Sequence, residues 1–105
     1  MAEPIAIKEK DPDAVVDFPV VWYDWLDGDT LSSHEVSADA GITVDSSAIN
    51  AGIVTVEGES YAANNVVTVW LSGGTAGEEY DIAVKVVTND ERTDERTFRV
   101  VVLER

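Results

Sequence analysis

The sequence has 105 residues, of which 45% are hydrophobic and 27% charged, a composition typical of one small globular domain. It contains no cysteine, which excludes disulfides, thiolate metal sites and cysteine nucleophiles. Seven basic residues against 21 acidic ones give a net charge of −14, which argues against binding to nucleic-acid backbones or anionic membranes. No apolar run approaches the roughly 18 residues that a membrane span needs.

The N-terminal segment, residues 1–13, is predicted to be an extended arm that precedes a single domain at residues 14–105. Two prolines and a charged run interrupt regular strand pairing there. Ile5 and Ile7 alternate with polar residues, so the arm is predicted to add a strand to the sheet edge of a neighbouring molecule. The segment lacks the apolar stretch of a secretory signal, so we expect synthesis in the cytoplasm.

The first half of the domain shows short strands separated by turns. Pro19 lies within the first strand, at 14–22, and predicts that this strand is an edge strand or carries a bulge. A turn is predicted at 23–29, because this segment ends in Asp-Gly-Asp around Gly28. Shorter strands are predicted at 31–38, 42–44 and 53–57, with a loop or a turn of helix at 45–52.

The second half gives the clearest pattern. A strand at 66–71 leads into a glycine-rich corner, and strands at 80–88 and 93–103 form a predicted hairpin, because apolar residues alternate along both. The apolar faces are Tyr80, Ile82, Val84 and Val86 on the first strand and Phe98, Val100 and Val102 on the second. Tyr80 begins a strand just after the corner, where its hydroxyl can hydrogen-bond back across it, as in a tyrosine corner. About seven strands at spacings of roughly 8 to 12 residues predict an all-β fold, a single immunoglobulin-like β-sandwich.

The sequence contains no convincing catalytic or metal-binding set. His34, the single histidine, has only the neighbouring serines as partners, and no nucleophile elbow supports a catalytic role. Asp24, Asp27 and Asp29 could meet around calcium, but their spacing does not match an EF-hand, and ordinary turn aspartates are the better interpretation. We therefore predict no catalytic residue, no metal and no cofactor, and hence a protein that is not an enzyme.

The tryptophans are the strongest candidates for protein contacts, because this residue is enriched at the centres of interfaces. Trp70 shares its strand face with Val66 and Thr68, so it lies either in the core or on the outer face of its sheet. Trp25 stands among aspartates and is either an exposed anchor or a cover over the rim of the core. The predicted interaction residues are Ile5, Ile7, Trp25 and Trp70.

Several segments together resemble a family of small immunoglobulin-like bacteriophage virion proteins, some of them described as fibre–tail adaptors. The most specific piece is the Trp-Leu-Ser-Gly-Gly-Thr-Ala-Gly run at 70–77. The other matching segments lie at 10–17, 24–26, 28–30, 41–44 and 92–96. The resemblance implies a non-enzymatic structural protein of the virion, made in the host cytoplasm, whose partners are capsid, tail or fibre subunits. It leaves open whether the protein decorates the capsid or joins a fibre to the tail, and whether it forms homo-oligomers in the particle.

Two other functions remain compatible with the sequence. The strong acidity allows an acidic mimic of DNA, although the carboxylates fall mostly in turns instead of along one face. Exposed tryptophans also allow a carbohydrate-binding or surface-binding module, in which aromatic rings stack on sugars.

Overall fold

The computed structural model describes residues 6–104. These residues form nine strands and one four-residue helix, so the all-β prediction is confirmed. The elements in chain order are β1 Ile7–Lys10, β2 Val16–Val21, α1 Tyr23–Leu26, β3 Leu31–Ala38, β4 Ile42–Ile49, β5 Val54–Val56, β6 Glu59–Tyr61, β7 Val66–Gly73, β8 Glu79–Thr88 and β9 Thr93–Val102. No helix in this part of the chain has the length and apolar content to cross a membrane.

Two sheets pack face to face as a sandwich. The larger has the strand order β1-β9-β8-β3, the smaller has the order β2-β7-β4, and β5 and β6 form a separate hairpin. Neighbouring strands are antiparallel except for β1 and β9, which run parallel. Rings meet across the interior, where Phe18 of β2 lies 5.7 Å from Phe98 of β9, centroid to centroid.

The core follows from the alternation of apolar residues along the strands, because successive side chains point to opposite faces of a sheet. The predicted inward faces of β8 and β9 are confirmed. The buried residues contributed by β7, β8 and β9 include Val67, Val69, Leu71, Tyr80, Ile82, Val84, Val86, Phe98, Val100 and Val102. Burial of these side chains, each worth roughly 1.5–3 kcal/mol, is the main favourable term that holds the two sheets together.

The first-half predictions need two corrections. Strand β4 continues to Ile49, where a loop or helical turn was predicted, because pairing with β7 outweighs the turn-like Ser and Asn composition. A shift in register between Val44 and Ser46 accommodates Asp45 as a bulge. Helix α1 replaces part of the predicted turn at 23–29, so nine strands and a short helix stand where about seven strands were expected.

The N-terminal segment also differs from its prediction. Residues 7–10 were assigned to an arm outside the domain, but they form β1 at the edge of the larger sheet, with Ile7 opposite Arg99. Lys10 is 2% exposed, and its ammonium donates hydrogen bonds to the carbonyls of Asp11 and Gly73, at 2.9 and 2.8 Å. Since Gly73 ends β7, Lys10 ties β1 to the smaller sheet. Ile5 lies outside the described residues.

Two predictions from single residues are confirmed. Strand β2, which contains Pro19, lies at the edge of the smaller sheet, where a residue without an N–H is tolerated. The hydroxyl of Tyr80 accepts a hydrogen bond of 2.9 Å from the backbone N–H of Thr75, across the glycine-rich corner. The proline and the tyrosine were therefore assigned correctly from local sequence alone.

Candidate interaction surface

Three connections meet at one end of the sandwich. They are residues 22–30 between β2 and β3, residues 50–65 between β4 and β7, and residues 89–92 between β8 and β9. Strand register brings them together, because the end of β2 pairs with the start of β7 and the start of β3 pairs with the end of β8. We refer to these three connections as the loop end.

Arg92 fixes helix α1 to the β8–β9 turn. Its guanidinium donates to the carbonyls of Trp25 and Leu26, at 3.2 and 2.6 Å, and lies 3.3 Å from the carboxylate of Asp29. The last carbonyls of a helix have no partners within it, so a cation at that position supplies hydrogen bonds and interacts favourably with the helix dipole. The Leu26 carbonyl also accepts from the backbone N–H of Asp29, at 3.0 Å. Arg92 also lies 4.5 Å above the Trp25 ring, so this one side chain holds most of the α1 connection in place.

A second arginine–tryptophan contact lies beneath Trp25. Trp22 is fully buried, and its ring packs edge-on against that of Trp25, with 5.6 Å between the centroids. The guanidinium of Arg96 lies 4.3 Å from the centroid of the Trp22 ring. Arg96 also donates to the carbonyl of Val21, at 2.9 Å. Trp25 is consequently half-buried and covers the rim of the core, which is one of the two alternatives open from the sequence.

Asp29 is ionised within this cluster. The hydrogen bond from the Thr88 side chain, followed by those from the Thr30 N–H and Arg92, lowers the pKa of Asp29 from its ordinary value of 3.8, although burial acts in the opposite direction. Its side chain is only 5% exposed. Asp29, assigned from sequence to a turn, is therefore a structural anion between α1 and β8. Within residues 6–104, no group of three or more acidic or histidine side chains is placed to hold a metal ion.

Asparagines fix the remaining two connections. The Asn50 carboxamide accepts from the N–H groups of Asn65 and Val66, both at 3.0 Å, and donates to the carbonyls of Gly52 and Ala62, both at 2.8 Å. It thereby closes the base of the β5–β6 hairpin. In the β8–β9 turn the backbone N–H of Asn89 donates to the carbonyl of Thr30 at 2.9 Å, and its side-chain amide donates to the Thr30 hydroxyl. Both bonds join that turn to the α1 connection.

The loop end carries exposed apolar groups that sequence reasoning missed. Tyr23 is 57% exposed and its ring lies 5.9 Å from that of Tyr61, while Ile53 in the hairpin connection is 81% exposed. Tyr23 could have been singled out as an aromatic residue inside an acidic turn, whereas its proximity to Tyr61 depends on the tertiary fold. The exposed acidic residues of the loop end are Asp24, Asp27, Glu57, Glu59, Asp90 and Glu91.

The structure does not bring the predicted interaction residues together. Trp70 is 42% exposed on the outer face of the smaller sheet, in register with Asp17 and Ser46, so its core alternative is wrong. Ile7 is 65% exposed and lies opposite Arg99 in the larger sheet. Trp25 lies at the loop end, so these three residues occupy separate parts of the surface.

His34 has a structural contact. Its Nε2 atom lies 2.8 Å from the hydroxyl oxygen of Ser47, which links β3 of the larger sheet to β4 of the smaller sheet. The neighbouring serines considered from sequence, Ser32 and Ser33, are exposed. The histidine thus helps to join the two sheets on the side where β3 turns into β4.

Comparison with known proteins identifies a family. A family model for the podophage GP4 fiber-tail adaptor protein gp77 matches residues 10–101, from the buried Lys10 to the penultimate residue of β9. No curated protein shows a significant match to the chain. The match covers both sheets and the loop end, and the resemblance drawn from sequence segments is confirmed. The chain therefore belongs to this family of podophage fiber-tail adaptor proteins and has a structural or accessory role in the phage particle.

Proposed function

We propose that this protein is a non-enzymatic adaptor that attaches a fibre to the phage tail by binding one virion protein on each of two surfaces. The observation that carries this proposal is the family match across residues 10–101, which spans nearly the whole described domain. The proposal makes the protein a component of the assembled particle after synthesis in the host cytoplasm.

Two exposed apolar surfaces on different sides of the domain support an adaptor role. One is the loop end, with Tyr23 and Ile53, and the other is the outer face of the smaller sheet, with Trp70. Large aromatic side chains are enriched at the energetic centres of interfaces, so their exposure on two sides of the domain suits contact with partners. A domain that presents such groups on two sides can contact two partners at once.

The strand order supports an immunoglobulin-like description of the fold. In such sandwiches strands B, E and D share one sheet and strands C, F and G the other. Here β2-β7-β4 and β9-β8-β3 have those orders, and Tyr80 occupies the tyrosine-corner position. Under this description the loop end corresponds to the end where variable domains carry their binding loops.

Deletion of the gene from the phage that encodes this chain tests the proposal. We expect purified mutant particles to have normal heads and tails but no attached fibres, with fibres restored when the chain is supplied from a plasmid. Electron microscopy and quantitative mass spectrometry of the particles measure both. Mutant particles that keep their fibres and instead show altered capsids would contradict the adaptor role in favour of capsid decoration.

A further inference from the structure

We propose that the loop end is the surface on which the adaptor docks to a basic protein surface of another virion subunit. This inference rests on the proposed function and specifies which face of the domain one partner contacts and what chemistry that partner has.

The apolar part of the docking surface is formed by residues that are exposed without a role in the core. Tyr23 is 57% exposed, its ring lies 5.9 Å from that of Tyr61, and Ile53 is 81% exposed. Tyrosine contributes a large contact area with few rotatable bonds, so little side-chain entropy is lost when a partner covers it. Val54, the residue after Ile53, pairs with Tyr61. The two tyrosine rings and the exposed isoleucine together therefore suit the centre of an interface.

The surface is ordered before any partner arrives. Arg92 binds the carbonyls of Trp25 and Leu26, and Asn50 closes the base of the β5–β6 hairpin. Tyr23 itself lies in α1, the segment that Arg92 holds. Binding to a preorganised surface avoids the cost of ordering loops, which is a large part of what association must overcome.

The charge of the loop end determines which partner fits it. Four exposed acidic side chains, Asp24, Asp27, Asp90 and Glu91, lie in its two shorter connections, whereas Glu57 of the hairpin lines a groove with Lys8 and Asp17 along the side of the sandwich. The same connections contain one basic residue, Arg92, whose guanidinium is already used for hydrogen bonds to Trp25, Leu26 and Asp29. Complementary potentials accelerate association and exclude partners of the same sign. A partner rich in lysine and arginine is therefore favoured, and its guanidinium groups can also stack on the tyrosine rings.

Purified particles from the gene-deleted phage and separately purified fibres serve as the two binding probes, with recombinant wild-type chain and variants as ligands. The apolar variant is Tyr23→Ser combined with Ile53→Ser. Its control is Val15→Ser, which removes an exposed apolar residue from the opposite end of the sandwich. We expect the apolar variant to bind one of the two probes at least about tenfold more weakly than wild type, while Val15→Ser binds that same probe normally.

A second pair of variants tests the charge requirement. Asp24→Asn with Asp90→Asn neutralises two exposed loop-end acids, whereas Asp13→Asn with Glu78→Gln makes the same charge change at the opposite end of the sandwich. We expect the first pair to slow association with the affected probe several-fold at low ionic strength, and the second pair to have a much smaller effect. High salt should remove the difference, because it screens exposed charges.

The possible results separate the two proposals. Circular dichroism and thermal melts first establish that each variant is folded. If the wild-type chain binds one or both probes and the loop-end variants bind as well as wild type, the docking surface is overturned while the adaptor function stands. If the wild-type chain binds neither particles nor fibres, the adaptor function is overturned, and the loop-end proposal falls with it.

Discussion

Tyr80 lies between two glycines that leave little room for any side chain. A Cβ atom added at Gly41 would come within 2.9 Å of the tyrosine ring, and one at Gly74 would lie 2.7 Å from Val102 and 3.4 Å from that ring. Both glycines also have positive φ angles, +108° and +95°. The corner therefore depends on close backbone approach as well as on the hydrogen bond to the Tyr80 hydroxyl.

The variant Gly74→Ala tests the steric part of this requirement, with Gly58→Ala as its matched control. Gly58 has a similar φ of +85°, but an added Cβ would meet nothing within 4 Å. We expect Gly74→Ala to lower the free energy of unfolding by about 1–3 kcal/mol more than Gly58→Ala, because only the former overpacks the interior. Urea denaturation measures both. Equal losses for the two variants would mean that backbone strain alone accounts for the effect.

Single residues differ in how far their roles could be predicted from sequence. The Tyr80 hydroxyl bond spans five residues, and the preceding glycine-rich run indicated the corner directly. The bonds of Arg92 to Trp25 and Leu26 span 67 and 66 residues, and no local pattern indicates which backbone carbonyls a given arginine will bind. For the same reason the sequence left the burial of Trp25 open.

At the scale of elements, local alternation predicted the strands whose pairing is also local. The β8–β9 hairpin has its predicted faces because both strands alternate and are joined by a short turn. Strand β1 was missed because it pairs in parallel with β9, some 90 residues away, and a short charged segment shows no intrinsic preference for that position. Helix α1 was missed because four residues are too few to show a helical period.

Lys10 offers a test of how β1 is held. We expect Lys10→Met to keep the fold but to loosen β1, because the hydrogen bond to the Gly73 carbonyl in the other sheet is lost. Hydrogen exchange should accelerate on the order of tenfold at the amides of Arg99 and Leu103, which donate to the carbonyls of Ala6 and Lys10.

The control for this test is Lys85→Met, which removes an exposed lysine from β8. It should leave exchange at Arg99 and Leu103 unchanged. Protection of these two amides that is the same in Lys10→Met as in wild type would show that backbone pairing with β9 alone is sufficient to hold β1.

At the scale of the whole molecule, a net charge of −14 means that most charged groups repel one another, so the few cations act at specific places. Arg99 forms a two-point contact with Asp81, at 2.8 and 3.3 Å, on the larger sheet. The hydrogen bonds and the charge of Arg99 lower the pKa of Asp81 from its ordinary value of 3.8. The overall acidity was evident from composition, whereas the pairing of particular carboxylates required the register of β8 and β9.

The hydrogen-bonded carboxylates of Asp29 and Asp81 predict the response of the protein to acid. Asp29 and Asp81 both have lowered pKa values in the folded protein, so each stabilises the fold above pH 3.8, and this contribution is lost as the pH falls through the lower folded values. We expect these two contributions to lower the melting temperature below about pH 4. The variant Asp81→Asn should start from a lower melting temperature at neutral pH and lose less of it in acid, as calorimetry at a series of pH values would measure. A parallel decline in both proteins would contradict a role for Asp81.

Pro19, at the centre of edge strand β2, has a consequence for copies of this protein that are crowded together. The segment Val16–Val21 is rich in valine and lies at an edge, which is the kind of strand that recruits identical strands into fibrils. A proline offers no amide to such a growing ladder. Pro19 therefore makes the open edge of β2 a poor template for a strand from another copy.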